Sequence, residues 1–397
     1  MNTVAIGDSN LKIADGNYSA KYPRSEEFIS EGIPFIRGNN FENKSISDKN
    51  MYFISPEKHS ELKKGHVKPK DVLITTRGNI GKVALVPERH DDSNINSQLV
   101  LLRCNEGWHP EYLLHTFNSK FVTRQIPALI TGSALKQLSV KNLKKLKIPL
   151  PPLDQQKKIA AILDAADAYR QKTKALIEKY DELAQSLFLD MFGDPVRNPK
   201  GWEEIKLGNI CGVGSSKRVF VDELVEDGIP FYRGTEVGKL GEGKSIIPKL
   251  FITKEHYERL KEHRGIPKKG DLLMPSICPD GRIWVVDDDK EFYFKDGRVL
   301  WVEVDSRKIN SIYLRYYMKG SFFANYNNIA SGTTFAELKI VALKKMNIFY
   351  PDIALQNQFA DSVKAIEVQK TQAQASLAQA EDLFNSLLQR AFKGDLV

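Results

Sequence analysis

Hydrophobic residues follow two different patterns along this chain. The first part, about 150 residues, carries short apolar runs separated by polar turns, which is typical of β-strands. Residues 71–75 and 82–86 are two such runs, and the segment TRGNIG at 76–81 between them predicts a hairpin turn. Short helices are predicted to begin at Ser55, which is followed by proline, and at Ser139.

From residue 151 onward the pattern is that of a long helix. Two prolines and Asp154, the predicted N-cap, form its start, and Gly193 is predicted to end it. Apolar residues recur with alternating steps of three and four, the heptad pattern of a helix that packs along a partner helix. Thr173 is the one member that is neither apolar nor aromatic. The predicted seam consists of Ile159, Ile162, Ala166, Tyr169, Thr173, Leu176, Tyr180, Leu183 and Leu187.

A second heptad pattern lies near the C-terminus, with steps of four and three. Lys370 is the one residue that interrupts it, and its alanines would allow close approach of a partner helix. We expect the two long helices to pair with each other in antiparallel fashion. A helix over 155–192 would be about 57 Å long at about 1.5 Å per residue. The second predicted seam consists of Phe359, Val363, Ile366, Ala373, Leu377, Ala380, Phe384, Leu387 and Ala391.

The two helices belong to a larger repeat with a period of about 200 residues. Five matches in one order indicate a duplicated unit, and the period is too long for a solenoid repeat. A duplicated enzyme or scaffold would show the same repeat, so duplication alone does not name a function. The five pairs are residues 6–8 and 207–209, 31–38 and 227–234, 68–86 and 268–286, 131–151 and 331–351, and 183–194 and 383–395.

These patterns predict an α+β protein with a pseudo-twofold internal repeat. We expect a mixed α/β domain over 1–150 and a similar one over 195–350. A spacer helix over 151–194 follows the first domain, and a second over 351–397 follows the second.

Composition limits the class of protein. Mean hydropathy is −0.36, and no run of 18 apolar residues occurs, so we expect no membrane span and no membrane partner. The N-terminus lacks the basic start and apolar stretch of a secretory signal. Cys104, Cys211 and Cys278 are far apart and form no CxxC pair, which argues against a structural zinc site and a disulfide framework. A reducing cytoplasm is the expected location.

The chain is basic, with a formal net charge of +8. The excess is uneven: residues 1–200 carry 30 Lys and Arg against 23 Asp and Glu (+7), and residues 201–397 carry 28 against 27 (+1). This balance is compatible with a polyanionic partner, although ribosomal and many other proteins share it. Binding to DNA would require the charge to be concentrated on one face.

Two related domains, each followed by a proline-rich start of a long heptad helix, resemble the specificity subunit of Type I restriction-modification systems. The resemblance is carried by residues 32–38, 76–81, 148–156 and 187–194 with their second-copy counterparts, and it spans nearly the whole chain. The second copy departs from the first in three places. It opens with Gly-Trp at 201–202, its helix start at 351–356 lacks the double proline, and its turn at 275–281 differs.

The resemblance implies that each globular domain reads one half of a bipartite site in double-stranded DNA. It further implies that the paired helices fix the gap between the halves and dock two methyltransferase subunits. Those subunits bind S-adenosylmethionine and methylate adenine, and two restriction subunits that use ATP and Mg can join them to cleave unmodified DNA. The specificity subunit is implied to be non-catalytic and to hold no cofactor of its own.

Candidate DNA contacts are basic or amide side chains in loops at matching places of the two copies. Arg and Lys bind phosphates and base edges, and Asn can pair with adenine. Ordinary alternatives are a solvated loop, a structural hairpin turn, or an Arg-Gly pair that shapes the fold. Lys136 is included because it lies near Gly132, which matches Gly332. The candidates are Arg37, Lys63, Lys64, Lys68, Arg77, Asn79, Lys82, Lys136, Lys217, Arg218, Arg233, Arg264, Lys268 and Lys269.

Residues that read bases could instead lie where the two copies differ, such as 15–27 against 212–226. Half-sites of different sequence require readers that differ, and the sequence offers no way to choose among them. A coiled-coil scaffold that holds proteins without DNA specificity is the alternative function.

The sequence matches known catalytic and nucleotide-binding motifs only incompletely. An adenine methyltransferase needs an Asn/Asp-Pro-Pro-aromatic motif, and the tandem prolines here lie in LPPL at 150–153. The segment GNIGK at 78–82 lacks the insert of a P-loop, and a hairpin explains it better than an RNA-binding KH loop. These gaps and the start at Met1 argue against a fragment of a fused methyltransferase-specificity enzyme.

Histidines recur at a spacing of seven in both copies. His59 and His66 form one pair, and His256 and His263 form the other. No Cys pair or His-x3-His motif supports a metal site nearby, and the repeat accounts for the coincidence. The sequence therefore predicts no metal site.

Overall fold

The computed structural model describes residues 2–18, 21–133, 135–330 and 336–396. The chain forms two compact units. The first contains Met1–Lys174 and Gln374–Val397, and the second contains Ala175–Ala373. Each of two long helices therefore contributes one part to each unit.

The first unit is a mixed α/β domain with parts of both long helices. Its strands are β1 (Thr3–Ala5), β2 (Lys12–Asp15), β3 (Ile33–Ile36), β4 (Phe41–Glu42), β5 (Ser45–Ile46), β6 (Tyr52–Ile54), β7 (Val72–Thr75), β8 (Val83–Leu85), β9 (Asn94–Ile95), β10 (Leu99–Arg103) and β11 (Lys147–Pro149). Its helices are α1 (Pro56–Glu61), α2 (Pro110–Asn118), α3 (Lys120–Thr123), α4 (Ile126–Leu129), α5 (Val140–Leu143) and the beginning of α6 (Leu153–Phe192).

The strands of the first unit form a main sheet and smaller ones. The main sheet is antiparallel and has the order β2-β10-β7-β8. A three-stranded sheet has the order β6-β3-β9, and β3 runs antiparallel to β6 but parallel to β9. β1 pairs with β11, which joins the two ends of the domain, and β4 pairs with β5.

The main sheet separates two hydrophobic cores. Successive side chains of a strand point to opposite faces. In β7, Val72 and Ile74 therefore enter the core that contains α2 and the long helices, whereas Leu73 enters a core on the other face. β10 divides in the same way, which explains why both strands are continuous apolar runs.

The second unit has corresponding elements. Its strands are β12 (Glu204–Lys206), β13 (Cys211–Gly214), β14 (Ile229–Tyr232), β15 (Phe251–Ile252), β16 (Leu272–Pro275), β17 (Trp284–Val285), β18 (Tyr293–Phe294), β19 (Val299–Val304) and β20 (Asn347–Phe349). Its helices are α7 (Leu207–Ile210), α8 (Gly234–Gly241), α9 (Lys254–Arg264), α10 (Ser311–Ile329), α11 (Ile340–Lys345) and the beginning of α12 (Ile353–Lys393).

The two units share one topology. The orders β13-β19-β16-β17, β15-β14-β18 and β12-β20 repeat those of the first unit, including the parallel pairing of β14 with β18. A difference lies after the third shared strand, where the first unit has the β4–β5 hairpin and the second has α8. The predicted duplication is confirmed, except that residues 331–335, which include Gly332, lie outside the described part.

The long helices pair in antiparallel fashion within each unit. In the first unit, Ile159 and Leu163 near the start of α6 share a core with Leu388 and Phe392 near the end of α12. In the second unit, Phe188 and Phe192 near the end of α6 share a core with Phe359 and Val363 near the start of α12. An ion pair of 3.4 Å between Lys174 and Glu381 continues the first contact.

No residue of the predicted α12 seam is exposed, whereas three of the nine residues in the predicted α6 seam are exposed. Tyr169, Leu176 and Leu183 are 55%, 42% and 51% exposed, and Ile162 is only half-buried. The buried positions lie one residue later, at Leu163 and Ala184 and at the half-buried Arg170 and Ile177. The true steps are therefore four and three, as in α12. Apolar residues at neighbouring positions, such as Leu176 and Ile177, make both phases compatible with the sequence.

A buried glutamine anchors each long helix to its domain. Gln156 is fully buried, and its Oε1 accepts a hydrogen bond from the backbone N–H of His109 at the start of α2. Its Nε2 donates to the carbonyls of Gly107 and Pro151. α6 begins at Leu153, so Asp154 is a first-turn residue and not the predicted N-cap. The glutamine of the proline-rich motif therefore has a structural role.

Other local predictions are confirmed. Ser55 and Ser139 cap α1 and α5, each accepting a bond from the backbone N–H three residues later. The segment 76–81 joins β7 to β8 as a hairpin. Among the described residues, no helix combines the length and apolar character needed to cross a membrane.

Candidate nucleic-acid interface

The β7–β8 hairpin presents three of the candidate residues. The hydroxyl of Thr75 donates to the carbonyl of Asn79 and accepts from the backbone N–H of Lys82, which closes the turn. Gly78 and Gly81 adopt φ values of 68° and 89°, a backbone conformation that favours glycine. The turn is therefore rigid, while the side chains of Asn79 and Lys82 are exposed.

Arg77 connects this hairpin to a second loop. Its guanidinium donates to Oε1 of Gln137 at 3.0 Å, and its Cζ lies 5.8 Å from the ring centroid of Tyr18. A β-bridge between Arg77 and Gln137 places the exposed Lys136 beside the hairpin. The structure therefore brings Lys136 together with Arg77, Asn79 and Lys82, from which it is more than 50 residues away in sequence. Tyr18 lies in the segment 15–27, which the sequence marked as different between the two copies without singling out this residue.

Three candidate lysines lie in the loop between α1 and β7. Lys63 and Lys64 are exposed, and Lys64 makes a loose ion pair of 3.4 Å with Asp15. Lys68 is also exposed, while its backbone N–H donates to the carboxylate of Asp71 at 2.8 Å. These ammonium groups are available to an anionic ligand.

The same lysine turn occurs in the second unit. The backbone N–H of Lys268 donates to Asp271 at 2.9 Å, and the side chains of Lys268 and Lys269 are exposed. Burial raises the pKa of Asp271, although bonds from Lys268, Val304 and Trp301 oppose the shift. The matched lysines therefore lie on a turn that both units build in the same way.

Two candidates after β13 extend the basic surface of the second unit. Lys217 and Arg218 are both exposed. The backbone N–H of Lys217 donates to the hydroxyl of Tyr293, which orients this loop. Arg218 pairs with Asp296 at 3.0 Å, with two thirds of its side chain exposed.

The remaining three candidates have intramolecular partners that occupy much of their bonding capacity. Arg37 stacks on Tyr52, with its Cζ 3.3 Å from the ring centroid. Arg233 pairs with Glu236 at 2.9 Å. Arg264 pairs with Glu303 at 2.8 Å, donates to the carbonyl of Ser215 and stacks on Trp301 at 4.4 Å.

The structure therefore gives Arg264 a role in the fold. Its partners come from strand β19 and from the loop after β13, at sequence distances that the local pattern could not reveal. DNA contact by Arg37 and Arg233 remains a prediction. Their intramolecular partners favour the alternative, in which each Arg-Gly pair shapes the fold.

The sequence also missed a charged contact between the first domain and the long helices. Lys44, in the β4–β5 turn, pairs with Asp167 of α6 at 2.8 Å and lies 4.4 Å from the ring centroid of Phe384. Asp167 also accepts from Arg170. Burial lowers the pKa of Lys44, and the adjacent cations hold the pKa of Asp167 below its usual value.

The histidines that recur at a spacing of seven do not occupy matching positions in the two units. Ser55 and Thr253 are the matching N-caps of α1 and α9. Counted from these caps, His59 corresponds to Tyr257 and not to His256. The repeat therefore does not explain the spacing.

The family model described as "Type I restriction modification DNA specificity domain" matches residues 13–179 and 199–379. A putative type I restriction enzyme specificity subunit from Haemophilus influenzae is 27% identical over 279 residues, covering 68% of each chain. The type I restriction enzyme MjaIX specificity subunit from Methanocaldococcus jannaschii is 26% identical over 352 residues, covering 82% of this chain and 77% of the relative.

Solved structures share the fold. The S subunit of a Type I restriction-modification system from M. genitalium superimposes with a TM-score of 0.58 at 16% identity, covering 98% of this chain and 96% of that one. A chain from a structure describing assembly and conformational transition of the type I R-M system gives 0.59 at 20% identity, covering 100% and 98%.

Proposed function

The chain belongs to the family of Type I restriction-modification DNA specificity proteins, and from that premise we propose that its two units each read one half of a bipartite DNA site. The observation that carries this proposal is the duplication of one topology with exposed lysines on the same turn, at Lys68 and Lys268. Two similar readers in one chain fit two half-sites. Their differing loops fit half-sites of different sequence.

Phosphate contacts and base contacts have different roles in this proposal. The lysines of the matched turns would bind phosphates and set the register of each unit on the duplex. Arg77 and Asn79, on the rigid β7–β8 hairpin, would approach base edges, because guanidinium and amide groups match the hydrogen-bonding edges of guanine and adenine. The isolated chain should then bind duplex DNA with an affinity that falls as salt concentration rises.

The long helices would fix the gap between the two half-sites and dock the catalytic partners. α6 and α12 each continue from one compact unit into the other. Leu176 and Leu183 remain exposed although both are apolar, and such residues offer surface for a protein partner. We place methyl transfer with S-adenosylmethionine on two methyltransferase subunits, and ATP and Mg on restriction subunits, with no cofactor in this chain.

Genome-wide methylation mapping tests the proposal directly. The chain would be co-expressed with its methyltransferase partner, and methylated adenines would be located by sequencing. We expect one motif with two specific halves separated by a fixed gap. The absence of a bipartite motif, in cells where the complex is intact by co-purification, would reject the proposal.

A domain-selective variant sharpens this experiment. Arg77→Ala with Asn79→Ala should relax the sequence read in one half and leave the other half unchanged. Lys364→Ala, on the exposed surface of α12, is the matched control and should leave the motif intact. Relaxation of both halves by the hairpin variant would contradict the assignment of one half-site to each unit.

The alternative, a scaffold without DNA specificity, makes the opposite prediction in a simple assay. A scaffold would not retain random duplex on a filter at low salt. A DNA reader would retain it, and added salt would release it.

A further inference from the structure

Three side chains of the first unit converge beside the lysine-rich loop between α1 and β7. His59 lies on α1, His66 lies in the loop that follows, and Asp92 lies in the loop before β9. The two imidazole rings are 4.5 Å apart between centroids. One oxygen of Asp92 is 3.2 Å from Nε2 of His59, and the other is 3.1 Å from Nδ1 of His66. The three ligating atoms lie within 4.8 Å of one another.

The outer nitrogen of each ring already has a hydrogen-bond acceptor. Nδ1 of His59 faces Oδ1 of Asn94, and Nε2 of His66 faces the carbonyl of Leu62. A neutral imidazole has one N–H and one lone pair. When each neutral ring keeps its N–H on the outer nitrogen, Nε2 of His59 and Nδ1 of His66 present lone pairs toward the carboxylate of Asp92. A proton on a ring or a cation between the three groups relieves their repulsion, and the three ligating atoms are close enough to share one metal ion.

This arrangement is that of a metal site with its supporting shell. Metal-ligating histidines usually donate their other ring N–H to an amide, carbonyl or carboxylate oxygen, which fixes the tautomer that ligates. The backbone of Asp92 is also held: it adopts φ of 55°, and its N–H donates to the carbonyl of Val67 at 3.0 Å. The side chain of Asp92 is 70% exposed, so solvent can supply a fourth ligand.

We propose that His59, His66 and Asp92 bind one divalent transition-metal ion of the zinc class. Two imidazole nitrogens and one carboxylate oxygen suit Zn²⁺ and Co²⁺, whereas Mg²⁺ and Ca²⁺ prefer oxygen ligands alone. The ion ties α1, the following loop and the loop before β9 together. It therefore stiffens the loop that carries Lys63 and Lys64, and its binding does not depend on whether the unit reads DNA.

The second unit lacks these ligands, so one ion per chain is expected. Tyr257 occupies the position that corresponds to His59. His256 lies 3.7 Å from Glu223, and among the described residues no third ligand completes a cluster there. His256 is therefore the matched control for the histidines of the first unit.

Metal titration of the full chain tests the proposal. The purified protein would be stripped with a chelator and titrated with CoCl₂ and ZnCl₂, with the visible absorption of Co²⁺ as the readout. We expect one equivalent of Co²⁺ bound in a tetrahedral environment, displaced by Zn²⁺, and a rise in Tm with either ion. A chain that binds less than a tenth of an equivalent would overturn the proposal.

Variants locate the ion. His59→Gln, His66→Gln and Asp92→Asn should each weaken binding at least about 100-fold, since losing even an outer-shell partner of a ligand costs about 10- to 100-fold. His256→Gln should bind like the unaltered chain. Asp92→Asn keeps the fold, because this side chain is exposed and asparagine tolerates positive φ. Undiminished binding by the Asp92→Asn and His59→Gln chains would assign the ion to another site and reject this one.

Discussion

The two units hold the same buried aspartate by different partners. In the first unit, Asp71 accepts two bonds from the guanidinium of Arg103, at 2.8 and 2.7 Å. In the second, Asp271 accepts from Nε1 of Trp301 at 2.9 Å and from the backbone N–H of Val304 at 3.0 Å. The lysine turn that precedes each aspartate is the same. The duplicated turn is thus retained while its support is replaced.

The contacts between each domain and the long helices also use different side chains in the two units. In the first unit, the ion pair Lys44–Asp167 and the hydrogen bond between Nε2 of His115 and Oδ1 of Asp164 lie beside the ring of Phe384. In the second unit the corresponding region is aromatic. Its rings are those of Phe188, Phe192, Tyr313, Tyr316 and Phe359. The first junction adds an ion pair to its apolar core, whereas the second adds a cluster of aromatic rings.

The largest expected effect is at the aromatic junction. Phe188→Ala should lower the free energy of unfolding by about 4 kcal/mol, because it removes a fully buried ring that contacts four others. Leu388→Ala, the matched change in the first unit, should cost about 3 kcal/mol. Urea unfolding at fixed pH measures both.

Leu183→Ala is the control for the helix phase. Leu183 belongs to the seam predicted from the sequence but is 51% exposed, so its loss should cost less than about 0.5 kcal/mol. A cost as large as that of Phe188→Ala would restore the predicted seam and contradict the phase described above.

The error in that seam shows what periodicity can and cannot decide. The existence, length and pairing of α6 and α12 follow from the heptad pattern alone. The phase of α6 does not, because the polar Arg170 takes an inward position while the aromatic Tyr169 lies outside. Arg170 can do so because its guanidinium pairs with Asp167 and lies 4.5 Å from the ring centroid of Phe384, about 200 residues away. Only the tertiary structure supplies those partners.

The next effect concerns the buried glutamines. Gln156→Ala should cost about 3 kcal/mol, because it leaves a backbone N–H and two carbonyls without their bonds. Gln356→Ala should cost about 2 kcal/mol, because within the described part of the chain Gln356 makes two bonds, from the N–H of Asn310 and to the carbonyl of Pro351. Chemical denaturation compares the two, with the exposed Gln155→Ala as control. Equal costs would show that the third bond of Gln156 contributes nothing.

The two residues of the ion pair Lys44–Asp167 should differ in how much stability their loss costs. Asp167→Ala should cost about 2 kcal/mol, because it leaves both Lys44 and Arg170 without their carboxylate. Lys44→Met should cost less than about 1 kcal/mol, because Asp167 keeps Arg170 and the apolar side chain still covers Phe384. A larger loss for Lys44→Met than for Asp167→Ala would contradict this account.

The same lysine gives a pH signature with a definite sign. Burial lowers the pKa of Lys44, so the native chain binds fewer protons than the unfolded chain just below the ordinary lysine pKa of about 10.4. The cost of burying this charge is therefore full at neutral pH and is relieved as pH rises through that window. The free energy of unfolding of the unaltered chain, minus that of Lys44→Met, should increase with pH there. A flat difference would mean that Lys44 is not buried as a cation.

The candidate site was predictable only in part. Repetition of the lysine turn identified Lys68 and Lys268 correctly as exposed matched residues, because local sequence sets that turn. For Arg264, repetition could not reveal the partners Glu303 and Trp301, because both come from a distant strand. Some basic loop residues are exposed and others are held by intramolecular partners. The tertiary contacts are needed to tell the two groups apart.

The smallest expected effect is on the salt dependence of DNA binding, which should differ between the exposed lysines and Arg264. Lys268→Ala with Lys269→Ala should reduce the slope of log affinity against log salt by about one per lost phosphate contact. The free energy of unfolding should change by less than about 0.5 kcal/mol, because both side chains are exposed. Arg264→Ala should do the reverse, destabilising the second unit with little change in slope. Fluorescence anisotropy with a random duplex measures the slopes, and Lys364→Ala on α12 controls for the loss of charge. The contrary outcome is that Arg264→Ala lowers the slope as much as the lysine variant does, with the free energy of unfolding unchanged. In that outcome the bonds of Arg264 to Glu303 and Ser215 do not stabilise the fold, and Arg264 belongs with the residues that contact DNA.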